Sequence, residues 1–476
     1  MIEPFNHCYL ALFFMCLFSC NSKTNQKELN ISPKNVILIV ADDQGMQMGN
    51  LCTPGVLTPT MDSLAKNGIL FQKAYATFSS CSPSRASFLT STFPHVNGVT
   101  TNVWEYIGAN PPKSFFAKGD SLNTTFKVKD NIVSLIESLQ SAGYYTGLTG
   151  KFHMSPQYKF PFDYWGKEVD AKEFLNKAMA SGKPFFLDFN MHTPHRPYAK
   201  SPYSQKKMDL NTLDIPRFLP NNKIMQEDWK NYLGAVEATD YTLGKLLRSL
   251  REKGLDKNTL IIYISDHGPS THRGKYSAYP FGSQVPVIFS GPDIVKNMKS
   301  NSLVSLIDLM PTILDYLKIK KPKTAQGRSL INIVTGKDFS SVNNYIYTEV
   351  SFPRKGETNF QARGMSDGRF WYIRRNKKPR MRGKPEDNYD EKVWRNLSYK
   401  ATLKGKKNFP LQYDLLETFE NNPPLEELFD LYSDPWTLHD ISKNPEFTSV
   451  ILRMRNEMNS WIKKTNDKEM MSTAKY

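Results

Sequence analysis

Cysteine is scarce in this sequence, with five in 476 residues. Cys8 and Cys16 lie in an apolar N-terminal segment and Cys20 closes it, so only Cys52 and Cys81 remain beyond that segment. Two thiols do not make a disulfide framework. No zinc-finger spacing and no aromatic-rich RNA-binding segment occurs, which removes the common nucleic-acid modules. Internal repeats and low-complexity tracts are absent too. The apolar run Tyr9–Phe18 is too short to cross a bilayer as a stable helix. Lys and Arg are missing from residues 1–10, although export signals usually start with positive charge.

What is present is a basic chain of ordinary globular composition. Hydrophobic residues make up 39% and charged residues 23%, enough for a sizeable core and against gross disorder. The formal charge is +16. That excess fits either an ordinary lysine-rich protein or one that meets polyanions. With nucleic-acid modules excluded, an anionic glycan is the better partner. The run Tyr9–Phe18 followed by Ser19-Cys20 reads as a signal-peptide core. Leu17-Phe18-Ser19-Cys20 resembles a bacterial lipobox, so residues 1–20 read as a lipoprotein signal with Cys20 lipidated, and 21–34 as a polar tether. The expected location is a bacterial cell envelope, lipid-anchored at the outer membrane or periplasm, with simple secretion as the alternative.

The apolar runs predict the architecture. Asn35–Val40, Phe185–Phe189 and Leu260–Ile264 are short, continuous and apolar, as in parallel strands buried on both faces. Val285–Phe289 is a further strand, and Pro286 favours an edge or a strand start. Between them, Val236, Thr239, Leu243, Leu246, Leu247 and Leu250 follow helical spacing, with Gly254 as a stop. Strands alternating with helices predict an α/β sheet covered on both faces. The character changes near residue 340. We therefore expect a main domain over 35–340 and a smaller C-terminal subdomain over 341–476. The latter contains a strand at Phe370–Ile373, a helix at Ser449–Lys464 and the basic run Arg374–Arg382. Such a run is usually a solvated loop. As a rim for an anionic substrate it would offer Arg374, together with Arg354 and Arg363.

The buried strands end in chemistry. Asn35–Val40 leads into Asp42-Asp43, Phe185–Phe189 into His192 and His195, and Leu260–Ile264 into Asp266-His267-Gly268. In open α/β sheets ligands bind outside the carboxyl ends of strands. Three aspartates converging there would repel one another unless a divalent cation lay between them, and carboxylate ligation favours calcium or magnesium. The plainer reading, that each Asp caps a turn, is weak for a tandem pair plus a remote Asp-His. Cys81-Ser82-Pro83-Ser84-Arg85 precedes a plausible first helical turn, Ala86–Thr90. A helix N-terminus offers unpaired amides to an oxyanion, and Arg85 adds a forked donor. Taken alone, Cys81 reads as a thiol nucleophile of lowered pKa. A cysteine protease would also need an adjacent His base, and none is local.

Cys-x-Pro-x-Arg at 81–85 resembles the motif of type I sulfatases. The resemblance extends over about residues 35–445 through motifs in the family's order: Ile39–Asp43, Gly150-Lys151-Phe152-His153, Thr193-Pro194-His195-Arg196-Pro197, Ser265–Gly268 and Gly274-Lys275-Tyr276. Ser80–Ser87 and Leu428–Pro435 resemble heparan N-sulfatase-like (sulfamidase-like) members. Asp266-His267 departs from the Asp-Asn pair that many sulfatases use. The resemblance implies an alkaline-phosphatase-like α/β fold, a large mixed sheet flanked by helices, with a small C-terminal α+β subdomain. It implies conversion of Cys81 to formylglycine (3-oxoalanine) by a formylglycine-generating enzyme. It also implies one Ca2+ held by Asp42, Asp43, Asp266, His267 and residue 81. One hydroxyl of the hydrated aldehyde would then attack sulfur, with Arg85, Lys151 and Lys275 on the sulfate oxygens. His195 would assist the leaving group, and His153 would take the proton of the second hydroxyl so that sulfate leaves. The implied substrate is a sulfated carbohydrate, such as algal ulvan or a glycosaminoglycan, cleaved at O-sulfate or alternatively at N-sulfate. The rivals are a phosphoester or phosphonate hydrolase on the same fold and a non-catalytic glycan-binding protein.

Overall fold

The computed structural model describes residues 34–103, 126–203, 208–352, 360–377, 397–421 and 423–471. The signal, Cys20, the tether up to residue 33, Arg354 and the basic residues 378–382 lie outside the described residues. Pro33–Tyr476 forms one compact unit.

Twelve strands are described. They are β1 Asn35–Ala41, β2 Gly68–Tyr75, β3 Tyr145–Gly150, β4 Tyr164–Gly166, β5 Phe185–Asn190, β6 Thr259–Ser265, β7 Val287–Ser290, β8 Met298–Ser305, β9 Ile346–Phe352, β10 Phe360–Ser366, β11 Phe370–Arg375 and β12 Glu426–Asp430. The first eight make a mixed sheet in the order β4-β3-β5-β1-β6-β7-β2-β8. β4, β3, β5, β1 and β6 run parallel. β7 is antiparallel to both neighbours and lies inside the sheet, beginning just after Pro286. The proline therefore marks a strand start, where its missing N–H breaks no ladder.

β1 shows why its sequence is apolar throughout. Val36, Leu38 and Val40 join one core with Ala86, Phe88 and Leu89 of helix α1 (Cys81–Thr90). Ile37, Ile39 and Ala41 join the opposite core with Leu243, Leu246 and Leu250 of helix α2 (Lys223–Glu252). Alternation puts successive side chains on opposite faces, so both parities must be hydrophobic. Each Val, Leu, Ile or Phe so buried is worth roughly 1.5–3 kcal/mol. The predicted stripe of α2 is the buried one, except that Leu247 is only partly covered. Its start is capped by Asn222, whose side chain accepts the Met225 N–H, and Gly254 follows its end at φ +66°.

β9 to β12 form a separate antiparallel sheet in the order β12-β11-β10-β9. Helix α3 (Thr448–Thr465) packs on it through Ile451, Met454, Met458, Trp461 and Ile462. The Phe370–Ile373 strand and the Ser449–Lys464 helix are thus present to within two residues at each end. The small sheet is bonded to loops that border the large one. Trp371 Nε1 donates to the Ala278 carbonyl at 2.9 Å, and Glu349 N–H donates to the Thr77 carbonyl at 2.7 Å.

Two expected substrate contacts are overturned here. Arg363 is fully buried on β10, with its Nε 2.7 Å from Asp467 Oδ2 and Glu349 3.9 Å away. Arg374 on β11 is also buried and donates to Asn459 of α3. Both guanidiniums are consumed in holding α3 and the chain end against the small sheet.

Candidate active site

The parallel strands bring the predicted residues together by register. Gly150 is level with Asn190, Asn190 with Val40, and Ala41 with Ser265. Four adjacent strands therefore end on one line, and the residues just beyond them face one cleft. Lys151 follows β3, His195 lies five residues past β5, Asp42 and Asp43 follow β1, and Asp266 and His267 follow β6.

Cys81 enters from another direction, as the first residue of α1. Its N-cap, Ser80, makes no side-chain cap. Asn102 supplies the bond instead, its Oδ1 accepting the Ser82 N–H at 3.0 Å and the Ser80 hydroxyl at 2.9 Å. The Cys81 thiol points to the Asp42 carboxylate at 3.5 Å, lies 3.3 Å from His267 Nε2, and accepts from Lys275 Nζ at 3.4 Å. Cys52 is exposed, and both cysteines are free, so no disulfide joins them.

Around the thiol the charges interlock. Lys151 Nζ donates to both Asp42 oxygens, at 3.0 and 2.8 Å, and Lys275 Nζ to Asp43 Oδ1 at 2.8 Å. Arg85 Nε donates to Asp266 Oδ2 at 3.0 Å, and another Arg85 nitrogen lies 2.9 Å from the same oxygen. Arg85 also donates to Asn190. His195 Nε2 is 3.9 Å from Asp43 Oδ2. His192, the nearby alternative, is exposed and pairs with Glu168, which leaves His195 as the histidine of this loop directed at the aspartates.

Burial and charge set the protonation states. Burial pushes the Asp42 carboxyl up, but Lys151, His195, Arg85 and Lys275 together hold it well below the usual range. Burial pushes the Cys81 thiol up to about 12 in spite of Lys151 and Lys275. The expectation of an activated thiol is therefore overturned: desolvation outweighs the cations. Burial, reinforced by Lys151 and Arg85, keeps His153 well below its ordinary value, so that its imidazole is neutral.

Asp42, Asp43, Cys81 and His267 place one ligand atom each within 4.8 Å of one another. Asp43 Oδ2 is buried without a hydrogen-bond partner among the described residues. His267 Nδ1 lies 2.8 Å from the Gly268 carbonyl, which can only accept. Nε2 therefore faces Asp43, 3.1 Å from its Oδ1. A neutral imidazole nitrogen and two carboxylates, one with an orphaned oxygen, are a donor set that suits a divalent cation. Asp266, expected among the ligands, lies outside this group. One oxygen engages Arg85, while the other accepts the N–H of Asp43 at 3.1 Å and of His267 at 2.9 Å.

Several site residues escaped the sequence reading. Asn190 receives Arg85 and is the last residue of β5, so its place after an apolar run was the available signal. Asp188 is buried on the same strand, where burial raises its carboxyl to about 7, and a lone Asp inside an apolar run was the signal there. Asn102 had none.

The comparisons agree with this geometry. The sulfatase family model matches residues 34–319, and that of the N-sulphoglucosamine sulphohydrolase C-terminal region matches residues 274–382. The chain therefore belongs to the sulfatase family and is a sulfuric ester hydrolase by class. It is 26% identical to an ulvan-active sulfatase of Formosa agariphila, over 97% of this chain and 82% of that one. It is likewise 26% identical to human N-sulphoglucosamine sulphohydrolase over 91% of each. In fold it matches a solved structure described with the metabolism of multiple glycosaminoglycans by Bacteroides thetaiotaomicron. There the TM-score is 0.70 at 18% identity, over 93% of this chain and 100% of that one.

Proposed function

We propose that the protein hydrolyses O-sulfate esters of a sulfated polysaccharide of ulvan type, or of its oligosaccharides, after Cys81 has been converted to formylglycine. One observation carries this reading. Cys81 stands at a helix N-terminus, its sulfur within 3.5 Å of Asp42, His267 and Lys275, while burial pushes its thiol up to about 12. Conversion would replace that sulfur with an oxygen nucleophile at the same place among these groups. Asp42, Asp43, His267 and residue 81 would hold calcium, whose positive charge, when bound, would favour ionisation of a hydroxyl at position 81.

We assign the remaining roles to side chains around Cys81. Arg85, Lys151 and Lys275 bind the sulfate oxygens and meet the charge that grows on them. His195 gives a proton to the departing sugar oxygen, and neutral His153 accepts one from residue 81. An N-sulfate substrate is the second reading, favoured by the match over 274–382 and by the human relative. Maturation requires a formylglycine-generating enzyme. Among the described residues no helix is long and apolar enough to cross a membrane, and we assign attachment to a lipid on Cys20 in a bacterial envelope.

The test is sulfate release from ulvan, carrageenan, heparan and chondroitin fragments by protein co-produced with a formylglycine-generating enzyme. Release from one glycan, absent in Cys81→Ala, is the expected result. Equal release by Cys81→Ala would refute the formylglycine mechanism. N-sulfated heparan as the sole substrate would move the assignment to the second reading.

A further inference from the structure

His195 is held in a way that its own motif does not reveal. Its Nδ1 is 2.5 Å from the carbonyl oxygen of the next residue, Arg196. A carbonyl can only accept, so Nδ1 carries a proton and Nε2 is the nitrogen directed at Asp43. Arg196 is itself clamped. Its two terminal nitrogens donate to the two oxygens of Asp228 at 2.5 Å each, and both side chains are buried, at 4% and 3% exposure. The guanidinium also stacks 4.2 Å from the Tyr198 ring centre. Such a paired fork fixes orientation as well as distance.

Asp228 belongs to α2, and Tyr232 stands one turn further along the same face. The Tyr232 hydroxyl accepts the Gly45 N–H at 3.0 Å and contacts Gln47 Oε1 at 3.0 Å. One face of α2 thus holds two loops: the one after β5 that carries His195, and the one after β1 that carries Asp42 and Asp43.

We propose that Asp228, acting through Arg196, is a positioning residue that sets the tautomer and aim of His195. The proposal rests on the sulfatase reading of the site. A histidine that protonates the leaving oxygen through Nε2 must finish as the Nδ1–H tautomer. The Arg196 carbonyl accepts from that tautomer, and the Asp228 clamp keeps the carbonyl in place. The buried pair then does more than close a loop: it favours the form of His195 left after proton transfer.

The experiment is nitrogen-15 NMR of the calcium-supplemented full chain with labelled histidine. His195 is identified among the eight histidines by the signal lost in His195→Asn. The native neutral ring should show the Nδ1–H tautomer. Asp228→Asn and Arg196→Lys should each shift it toward a mixture with Nε2–H. Each should also lower kcat for sulfate release roughly ten- to a hundredfold, with KM nearly unchanged. Should Asp228→Asn fail to fold, Arg196→Lys carries the test, since it keeps the cation but loses the paired hydrogen bonds to Asp228. An unchanged tautomer in a folded variant would overturn the proposal even if kcat fell, because the pair would then be purely structural. No sulfate release by the native protein would sink the reading of the site and leave the tautomer comparison standing.

Discussion

Arg85, on helix α1 beside the large sheet, and Arg363, on β10 of the small one, are both fully buried guanidiniums paired with an aspartate. They do different work because the sheets are built differently. Around β1 the strands run parallel, so their carboxyl ends share one edge and the polar residues that follow them pile up there. Asp42, Asp43, Lys151, Asp266 and His267 all come from such ends, and Arg85 completes a cleft in which Asp43 Oδ2 has no hydrogen-bond partner among the described residues. In the small sheet the strands alternate in direction, so strand ends are divided between two edges and no such concentration arises. Its charges pair locally: Arg363 with Asp467, and Arg375 with Glu427 at 2.6 Å. A buried arginine by itself therefore signals nothing; what matters is whether its surroundings leave an anion short of partners.

The widest separation between the two arginines should come from substitution. Arg85→Lys keeps the charge but loses the fork, and should cost about a hundredfold or more in kcat for sulfate release with little change in unfolding midpoint. Arg363→Ala should lower stability by about 3–5 kcal/mol, read from urea unfolding, while the folded fraction keeps its native kcat. A large loss of kcat in folded Arg363→Ala would break the distinction.

A smaller effect should follow metal removal. With a chelator the melting temperature should fall, and added calcium should restore it; a ligand at a hundred times its Kd stabilises by about 2.7 kcal/mol. Asp43→Asn should abolish the response and Arg363→Ala should retain it. A calcium response intact in Asp43→Asn would place the ion elsewhere.

The gentlest expected slope belongs to Asp188. Burial lifts its folded-state carboxyl to about 7, well above the unfolded value of about 4. The folded state then binds the extra proton, so this group's contribution to stability falls as pH rises between those values. The slope is at most about 1.4 kcal/mol per pH unit, and vanishes above about 7. Asp188→Asn should remove that slope when urea midpoints are compared at intervals across the window, leaving the rest of the pH profile as it was.

Much of this molecule was legible in its sequence. Strands buried on both faces need apolar residues at both parities, so β1, β5 and β6 announced themselves, and strand ends carrying Asp-Asp, His and Asp-His announced the cleft. The stripe on α2 followed from local rules of spacing and termination, whereas the helix expected to open at Ala86 begins five residues earlier, at Cys81. Tertiary structure alone decided which partners those residues take. Asp266 turned to Arg85, 181 residues away in the chain. Arg363 disappeared against Asp467, 104 residues away, where a substrate rim had been expected. Asp228 came to hold the loop of His195 from a helix with no motif of its own. The physical reason is one of range. Backbone propensity and hydrophobic period act over a few residues and leave a trace in the sequence, whereas a buried ion pair is chosen by whichever opposite charge the completed packing brings within reach.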